Sequence, residues 1–296
     1  VLIWQVNSLL RAVGLIGHAS VLFIVWMVSK VSVALILFNH NMFSEDLALG
    51  TAALVHLGCD AIFAVISVLL LFKKLNLRSY AAVKIEPIIT FRHLAVVGLP
   101  ATIQQILTPL SITLLTIMVV SYGQIYVAVL GIIFRLEVLL LLVPMVLTTS
   151  LPSIVGVNWW SGHTDRVRQF LSQSKRLVVG FQLLVAVILY FVAGFVASWF
   201  SQGQHIQHSI ETYLTIVPIG FIGAGITIIS QSSFNATGHY IKASILSLTH
   251  RIALKLGCCY IGITINGIEG LFYGILSAHL LSALLAILLN RRIHRN

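Results

Sequence analysis

The chain has 296 residues, of which 58% are hydrophobic and only 9% are charged, and its mean hydropathy is +1.02. Soluble domains carry about a quarter charged residues, so the composition excludes a fold whose surface faces water. The net charge of +10 therefore does not indicate a nucleic-acid-binding protein. It predicts basic residues on the cytoplasmic side of a membrane.

Apolar runs between polar breaks predict eight membrane-spanning helices, at residues 19–39, 48–72, 95–120, 125–150, 177–200, 212–235, 242–263 and 268–289. Residues 1–10 read as the tail of a further span, and they show no signal peptide. Cys59, Cys258 and Cys259 lie in apolar stretches without metal-ligand spacing, which predicts small packed side chains rather than a redox centre.

The basic residues assign an orientation to these spans. Fourteen of the 18 Lys and Arg residues fall in one alternating set of connections: Arg11, Lys73, Lys74, Arg78, Lys84, Arg92, Arg166, Arg168, Lys175, Arg176, Lys242, Arg291, Arg292 and Arg295. The connections near 40–47, 121–124, 201–211 and 264–267 hold none. Since Lys and Arg are retained in the cytoplasm, we expect the first set and the C-terminus there. The longest connection, 73–94, is the predicted linker between residues 1–72 and a unit of residues 95–296.

An internal repeat relates the two ends of the chain. Similar residues recur without a gap 224 positions apart; the pairs are Ser8 with Ser232, Ala12 with Ala236, Gly14 with Gly238, Ala19 with Ala243, Ser20 with Ser244, Glu45 with Glu269, Leu47 with Leu271 and Gly50 with Gly274. A fixed offset indicates a duplication in which both copies run in the same direction across the membrane. Because the second copy begins near residue 95, we expect about 130 residues of the first copy to be missing upstream.

Several motifs resemble the multidrug and toxic compound extrusion (MATE) family. They are residues 98–101 (Gly-Leu-Pro-Ala), 127–132 (Val-Ala-Val-Leu-Gly-Ile), 135–137 (Arg-Leu-Glu), and 157–162 (Val-Asn-Trp-Trp-Ser-Gly) followed by 165–167 (Asp-Arg-Val). The resemblance covers nearly the whole chain. It implies an all-α bundle with two six-span lobes, of which this chain would hold the end of span 4 and spans 5–12.

The resemblance also implies a function. MATE proteins are secondary transporters, not enzymes, and export amphipathic, often cationic, drugs and toxic compounds by Na+ or H+ antiport. We therefore expect xenobiotic export by alternating access in a bacterial inner membrane, by a monomer that needs a small-molecule substrate and a bilayer but neither a cofactor nor nucleic acid. Two alternatives stay open: a lipid-linked oligosaccharide flippase, and a truncated membrane protein without activity.

This sequence departs from the family at its usual ion-binding positions. Sodium-coupled members carry an Asn followed by an Asp-Pro in the fifth span, where Ser29, Val33 and Ala34 stand here. Others carry an acid in the seventh span, where this chain has Thr108. The resemblance alone therefore leaves the coupling ion open.

Two opposite charges inside neighbouring spans predict an ion pair. Lys30 and Asp60 lie at similar depth in the spans 19–39 and 48–72, and His56 is one helical turn from Asp60. A charge inside the bilayer costs on the order of 3 kcal/mol, which favours pairing. We predict that Lys30, His56 and Asp60 bind or relay a proton; the alternative is a neutralising structural pair beside a packed histidine.

The remaining predicted site residues are charges and polar stripes inside spans. Arg135 and Glu137 are two residues apart and so face different neighbours, whereas Arg251 and Lys255 are four apart, which implies a polar cavity or an acidic partner. Polar residues at helical spacing predict a cavity wall or contacts between helices. These are Gln104, Gln105, Thr108 and Ser111 in the span 95–120, and Thr227, Gln231 and Asn235 in the span 212–235.

Overall fold

The protein is helical throughout the part described by the computed structural model, residues 2–12, 15–39, 45–74, 87–200 and 203–293. The α-helices are α1 (Leu2–Ala12), α2 (Ile16–Asn39), α3 (Glu45–Lys74), α4 (Pro87–Val120), α5 (Gln124–Leu140), α6 (Leu142–Trp160), α7 (Thr164–Phe200), α8 (Gln204–Ile216), α9 (Phe221–Ala236), α10 (Tyr240–Leu248) and α11 (Lys255–Ile293). A 3-10 turn, Val217–Gly220, joins α8 to α9, and a π-helix, Thr249–Leu254, joins α10 to α11.

Large apolar side chains cover the outside of these helices. Phe191 is 80% exposed, Ile265 79% and Leu54 72%. Monomeric soluble proteins rarely expose apolar surface on this scale, so these faces contact lipid. The chain is a multi-pass integral membrane protein, as its composition predicts.

Seven helical stretches of the described residues are long and apolar enough to cross a membrane, compared with the eight predicted spans. The last stretch, Tyr240–Asn290, is 51 residues long and contains two predicted spans, because the backbone leaves the helical conformation at Asn266 and Gly267. The predicted span 125–150 is also divided. Leu141 separates α5 from α6, and of the two only α6 is long enough to count.

The division at Leu141 has a cause in the sequence. Pro144 has no backbone N–H, so it cannot bond to the carbonyl of Leu140 four residues earlier, and its ring crowds that carbonyl. The buried amide of Gln182, on α7, donates to the Leu140 carbonyl instead at 3.0 Å. A side chain from another helix thereby satisfies the backbone group that the proline leaves free.

Glycines bring the two arms of α11 into backbone contact. A Cβ atom added at Gly262 would overlap the carbonyl of Gly270, and one at Gly274 would lie 2.5 Å from the carbonyl of Cys258. The chain therefore turns back at Asn266 and Gly267, and the two arms pack antiparallel. Small residues at a helix interface permit this close approach.

Two helices begin earlier than predicted. α7 begins at Thr164 rather than near 177, because Val167, Leu171 and Val178 lie buried on one helical face and extend the helix beyond the apolar core of the span. Similarly, α4 begins at Pro87 rather than near 95. The end of the predicted linker 73–94 is therefore helical, and residues 75–86 lie outside the described residues.

The contacts divide the chain into two units, Val1–Pro87 and Ile88–Asn296. The first has its own small core, which includes Leu10, Trp26 and Phe63. The second has a larger core in which the rings of Tyr213 and Phe272 meet edge to face with centroids 5.5 Å apart. Each unit buries its own apolar side chains.

The helix bounds follow the repeat that the sequence predicts. In the first copy α1 ends at Ala12 and α2 begins at Ile16; in the second α9 ends at Ala236 and α10 begins at Tyr240. Both pairs of positions differ by 224. Helix ends thus recur at the repeat offset, once in residues 1–87 and again in residues 88–296.

We expect Gly262→Ala to destabilise the protein. The added methyl group meets the Gly270 backbone, and overpacking of this kind costs about 1–3 kcal/mol. The matched control is Gly257→Ala on the same arm, where a Cβ atom meets nothing within 4 Å. Thermal unfolding in detergent should show a lower midpoint for Gly262→Ala only; equal midpoints would contradict the backbone contact.

Candidate functional site

A cavity of about 470 Å³ lies within the C-terminal unit. Its walls come from α4, α5, α6, α9, the π-helix and α11. Its polar lining residues are Gln105, Thr108, Ser111, Glu137, Gln231, His250, Arg251, Lys255 and His279. The remainder of the wall is apolar and includes Ile112, Phe134 and Met145. An apolar cavity with a few convergent polar groups is the usual form of a small-molecule site.

The centre of this site is an ion pair between α5 and α11. The Lys255 Nζ atom lies 3.3 Å from Glu137 Oε1 and 3.4 Å from Oε2, and the two side chains are only 10% and 16% exposed. On α5, Ile133 and Leu136 are buried and fix the face on which Glu137 lies. Arg135 is exposed instead, as expected for residues two apart on a helix.

The π-helix sets the positions of the basic residues. The Lys255 N–H bonds to the carbonyl of His250 five residues earlier, and the Ser111 hydroxyl donates to the carbonyl of Arg251 at 2.9 Å. Both Arg251 and Lys255 line the cavity. The sequence predicts their need for an acidic partner or polar cavity, but not the π-helix, which often occurs at functional sites.

Two histidines that the sequence analysis did not select complete the cluster. His250 Nε2 lies 3.0 Å from His279 Nδ1, and both residues are buried. His279 Nε2 is 3.9 Å from Glu137 Oε1. Both histidines are ionisable residues inside predicted spans, and this is the same signal that selected Lys30.

Three nitrogen atoms on the cavity wall are buried without a hydrogen-bond partner among the described residues: Arg251 Nε, Gln231 Nε2 and His279 Nε2. Two of them, on Arg251 and Gln231, are N–H donors. Buried donors are nearly always satisfied, so these two lack the acceptor that such groups normally have.

The predicted polar stripes divide into two groups. Gln105, Thr108 and Gln231 line the cavity. Gln104 and Asn235 instead bond to each other, at 3.3 Å and 3.5 Å, and Gln104 also donates to Ser244. Thr227 is fully buried, donates to the Gly223 carbonyl and lies 3.0 Å from the Ser282 hydroxyl. The side chains of Gln104, Asn235 and Thr227 therefore join helices and are not part of the cavity lining.

The N-terminal unit contains the second predicted cluster. Lys30 Nζ lies 2.8 Å from Asp60 Oδ1, the pairing that the sequence predicts, and His56 Nδ1 lies 3.4 Å from Asp60 Oδ2. The Lys30 ammonium is also 3.4 Å from His56 Nε2. Trp26 donates to Asp60 at 3.0 Å, and its ring lies 4.5 Å below the ammonium. All three predicted residues thus meet, while their proposed transport role stays a prediction.

A basic pocket of about 740 Å³ lies between the start of α4 and the turn before α10. Its lining includes Arg92, His239 and Lys242. Burial lowers the pKa of His239, the nearby charge of Lys242 lowers it further, and a hydrogen bond with Thr237 acts in the opposite direction. His239 is therefore mainly neutral at pH 7, and the positive charge of this pocket comes from Arg92 and Lys242.

We expect Glu137→Gln to destabilise the C-terminal unit by about 3–5 kcal/mol, because it leaves the Lys255 ammonium buried without a carboxylate. The double variant Glu137→Gln/Lys255→Met should regain most of this loss, since it removes both charges. An exposed arginine in the first turn of α7 offers a control, and Arg166→Gln should change stability by less than about 0.5 kcal/mol. Thermal unfolding in detergent measures all three; an additive double variant would contradict the pairing.

Known proteins resemble this chain in sequence and in fold. A model of the MatE family matches residues 100–261. An FAD transporter from Shewanella oneidensis is 28% identical over 200 residues, which cover 68% of this chain and 44% of that protein. The chain thus spans less than half the length of this curated relative.

Two solved structures are similar over most of the chain. The MATE transporter VcmN of Vibrio cholerae, in its bent form, has a TM-score of 0.81 and 27% identity, covering 93% of this chain and 62% of VcmN. A MOP superfamily transporter from Pyrococcus furiosus has a TM-score of 0.86 at 17% identity, covering 97% of this chain and 64% of that one, and shows the fold alone. Because the MatE model matches more than half of the sequence, this chain belongs to the MATE family of transporters.

Proposed function

We propose that the chain is part of a secondary transporter that exports an amphipathic, negatively charged compound by alternating access. The carrying observation is the charge of the cavity in the C-terminal unit. Its wall holds two basic side chains, Arg251 and Lys255, against one carboxylate, Glu137, which lies against Lys255. One positive charge therefore lacks a counter-charge on this wall.

An anionic cargo would supply that counter-charge. A cation held away from water is stabilised strongly by an opposite charge, because the surroundings screen the interaction weakly. The guanidinium of Arg251 and the side-chain amide of Gln231, which both line the cavity, would donate to cargo oxygens, and guanidinium groups suit phosphate and carboxylate. The apolar wall around Phe134 and Met145 would accept a flat aromatic ring.

The likeness to an FAD transporter supports this class of cargo. FAD combines a pyrophosphate with two aromatic ring systems, so it carries both features that the cavity would bind. We therefore propose a flavin dinucleotide, or an anion of similar shape, as the exported compound. A lipid-linked oligosaccharide presents the same pyrophosphate, and the transport assay below separates the two.

Export of cationic drugs, the expectation from the family resemblance, is the second candidate. Glu137 favours it, because a carboxylate on the cavity wall would attract a cation. A cationic cargo would, however, have to displace Lys255 from this carboxylate and lie beside Arg251. The repulsion makes this candidate weaker.

For energy coupling we propose Na+ or H+ antiport through the Lys30, His56 and Asp60 cluster of the N-terminal unit. The support is its geometry, since the Asp60 carboxylate contacts two groups that bind protons. The concentration of basic residues on one set of connections supports a bacterial cytoplasmic membrane with the C-terminus inside. We also propose a monomer that requires no cofactor.

Transport in proteoliposomes tests the cargo. We expect saturable FAD transport and none of ethidium, a cationic probe. Arg251→Met should lower FAD transport about tenfold or more, because a charge-assisted contact is lost. Arg166→Met, which removes an exposed arginine in the first turn of α7, outside the cavity, should leave it unchanged. Transport of ethidium but not FAD would establish the cationic-drug function, and transport of a lipid-linked pyrophosphate alone would establish a flippase.

Replacement of the N-terminal cluster tests the coupling. In Asp60→Asn and Lys30→Met we expect cargo accumulation driven by an ion gradient to fall about tenfold, while cargo exchange without a gradient persists, since coupling free energies are of this size. Asp165→Asn, in the first turn of α7, serves as the control. Wild-type accumulation and pH dependence in both variants would reject the cluster as the coupling site.

A further inference from the structure

The His250 and His279 pair has the geometry of a single proton-binding site. The two facing nitrogens, His250 Nε2 and His279 Nδ1, are 3.0 Å apart, and the ring centroids are 5.2 Å apart. At that distance one nitrogen carries the hydrogen and the other accepts it. When both rings are neutral, the pair therefore shares one proton across this contact and can take one more.

The additional proton enters at one of the two outer nitrogens of the pair, His250 Nδ1 or His279 Nε2. His279 Nε2 is buried, has no hydrogen-bond partner among the described residues and lies 3.9 Å from Glu137 Oε1. In the protonated pair both outer nitrogens carry hydrogen, so His279 Nε2–H faces the Glu137 carboxylate. The carboxylate would then balance two cations, Lys255 and the histidine pair.

The charged groups that surround the pair are few. Glu137 comes from α5, Arg251 from the π-helix and Lys255 from the start of α11. The neighbouring helix α9 contributes the ring of Phe221, whose centroid is 5.9 Å from that of His279. The cavity residues of α4 are uncharged, as with Thr108. The protonated pair therefore has one anionic neighbour and two cationic ones.

The donors of this cluster suit a proton better than Na+. Hard cations bind oxygen ligands in sets of six or so, whereas this cluster offers imidazole nitrogens and one carboxylate. Both oxygens of that carboxylate already lie within 3.4 Å of the Lys255 ammonium.

Each unit contains a similar trio of a lysine, a histidine and a carboxylate. The N-terminal trio is lysine, histidine and Asp60; the C-terminal one is lysine, histidine and Glu137.

We propose that His250 and His279 bind a proton whose uptake strengthens the binding of an anionic cargo in the same cavity. This rests on the proposed function for the charge of the cargo, whereas the proton site itself does not. Protonation adds a positive charge to a wall that already holds Arg251 and Lys255, so proton and anion attract each other. By linkage, cargo affinity rises as pH falls and cargo binding takes up protons. A cationic cargo would show the opposite sign.

The test measures FAD affinity for the purified protein between about pH 4.5 and pH 8, a range that covers the usual histidine value and extends below it. We expect the affinity for FAD to be about tenfold higher at the acidic end, a change that corresponds to one pKa unit. The affinity should be the same in Na+ and in choline. His250→Gln and His279→Gln should reduce the pH effect to less than about twofold. His163→Gln, an exposed histidine in the turn before α7, should retain it.

The outcomes separate the two proposals. The proton site is rejected, and the cargo proposal stands, if FAD binds with an affinity that does not change with pH. The same holds if both glutamine variants keep the full pH effect of the unsubstituted protein. If FAD does not bind at any pH, the cargo proposal fails. The proton site is then decided by ¹⁵N NMR of labelled imidazoles, in which His250 and His279 should titrate as a coupled pair. Independent titration would overturn the proposal.

Discussion

The cost of holding charge away from water governs the C-terminal unit. Glu137 and Lys255 neutralise each other, but Arg251 enters the same cavity without a second carboxylate on the wall. An uncompensated ion in such surroundings is expensive, so it persists where a ligand or function requires it. The charge of this cavity therefore carries more functional information than its volume does.

Irregular backbone builds the site. Pro144 interrupts the path from α5 to α6, and Gln182 satisfies the carbonyl thus freed. The π-helix before Lys255 leaves the carbonyl of Arg251 to the Ser111 hydroxyl. In both places a polar side chain from another helix completes the hydrogen bonding, which is how membrane proteins accommodate non-α segments within a bundle. The proline break and the π-helix thus position polar side chains at the cavity.

The chain also indicates how one fold serves different cargo. The resemblance places Thr108 and Val33 where other family members carry ion-binding acids. The described residues contain two lysine–histidine–carboxylate clusters, one in each unit. Function within a fold depends on such side chains, which is why belonging to the MATE family identifies a transporter without naming its cargo.

The sequence by itself determined the solvent, the helical class, most spans, the repeat and the proximity of Lys30 to Asp60, because hydropathy, periodicity and depth along a helix are local properties. Tertiary structure alone decided that Glu137 meets Lys255, that Gln104 bonds to Asn235 rather than lining the cavity, and that His250 meets His279. These contacts join residues 29 to 131 positions apart. Their geometry depends on glycine contacts, a proline break and a π-helix, and hydrophobic periodicity registers none of these.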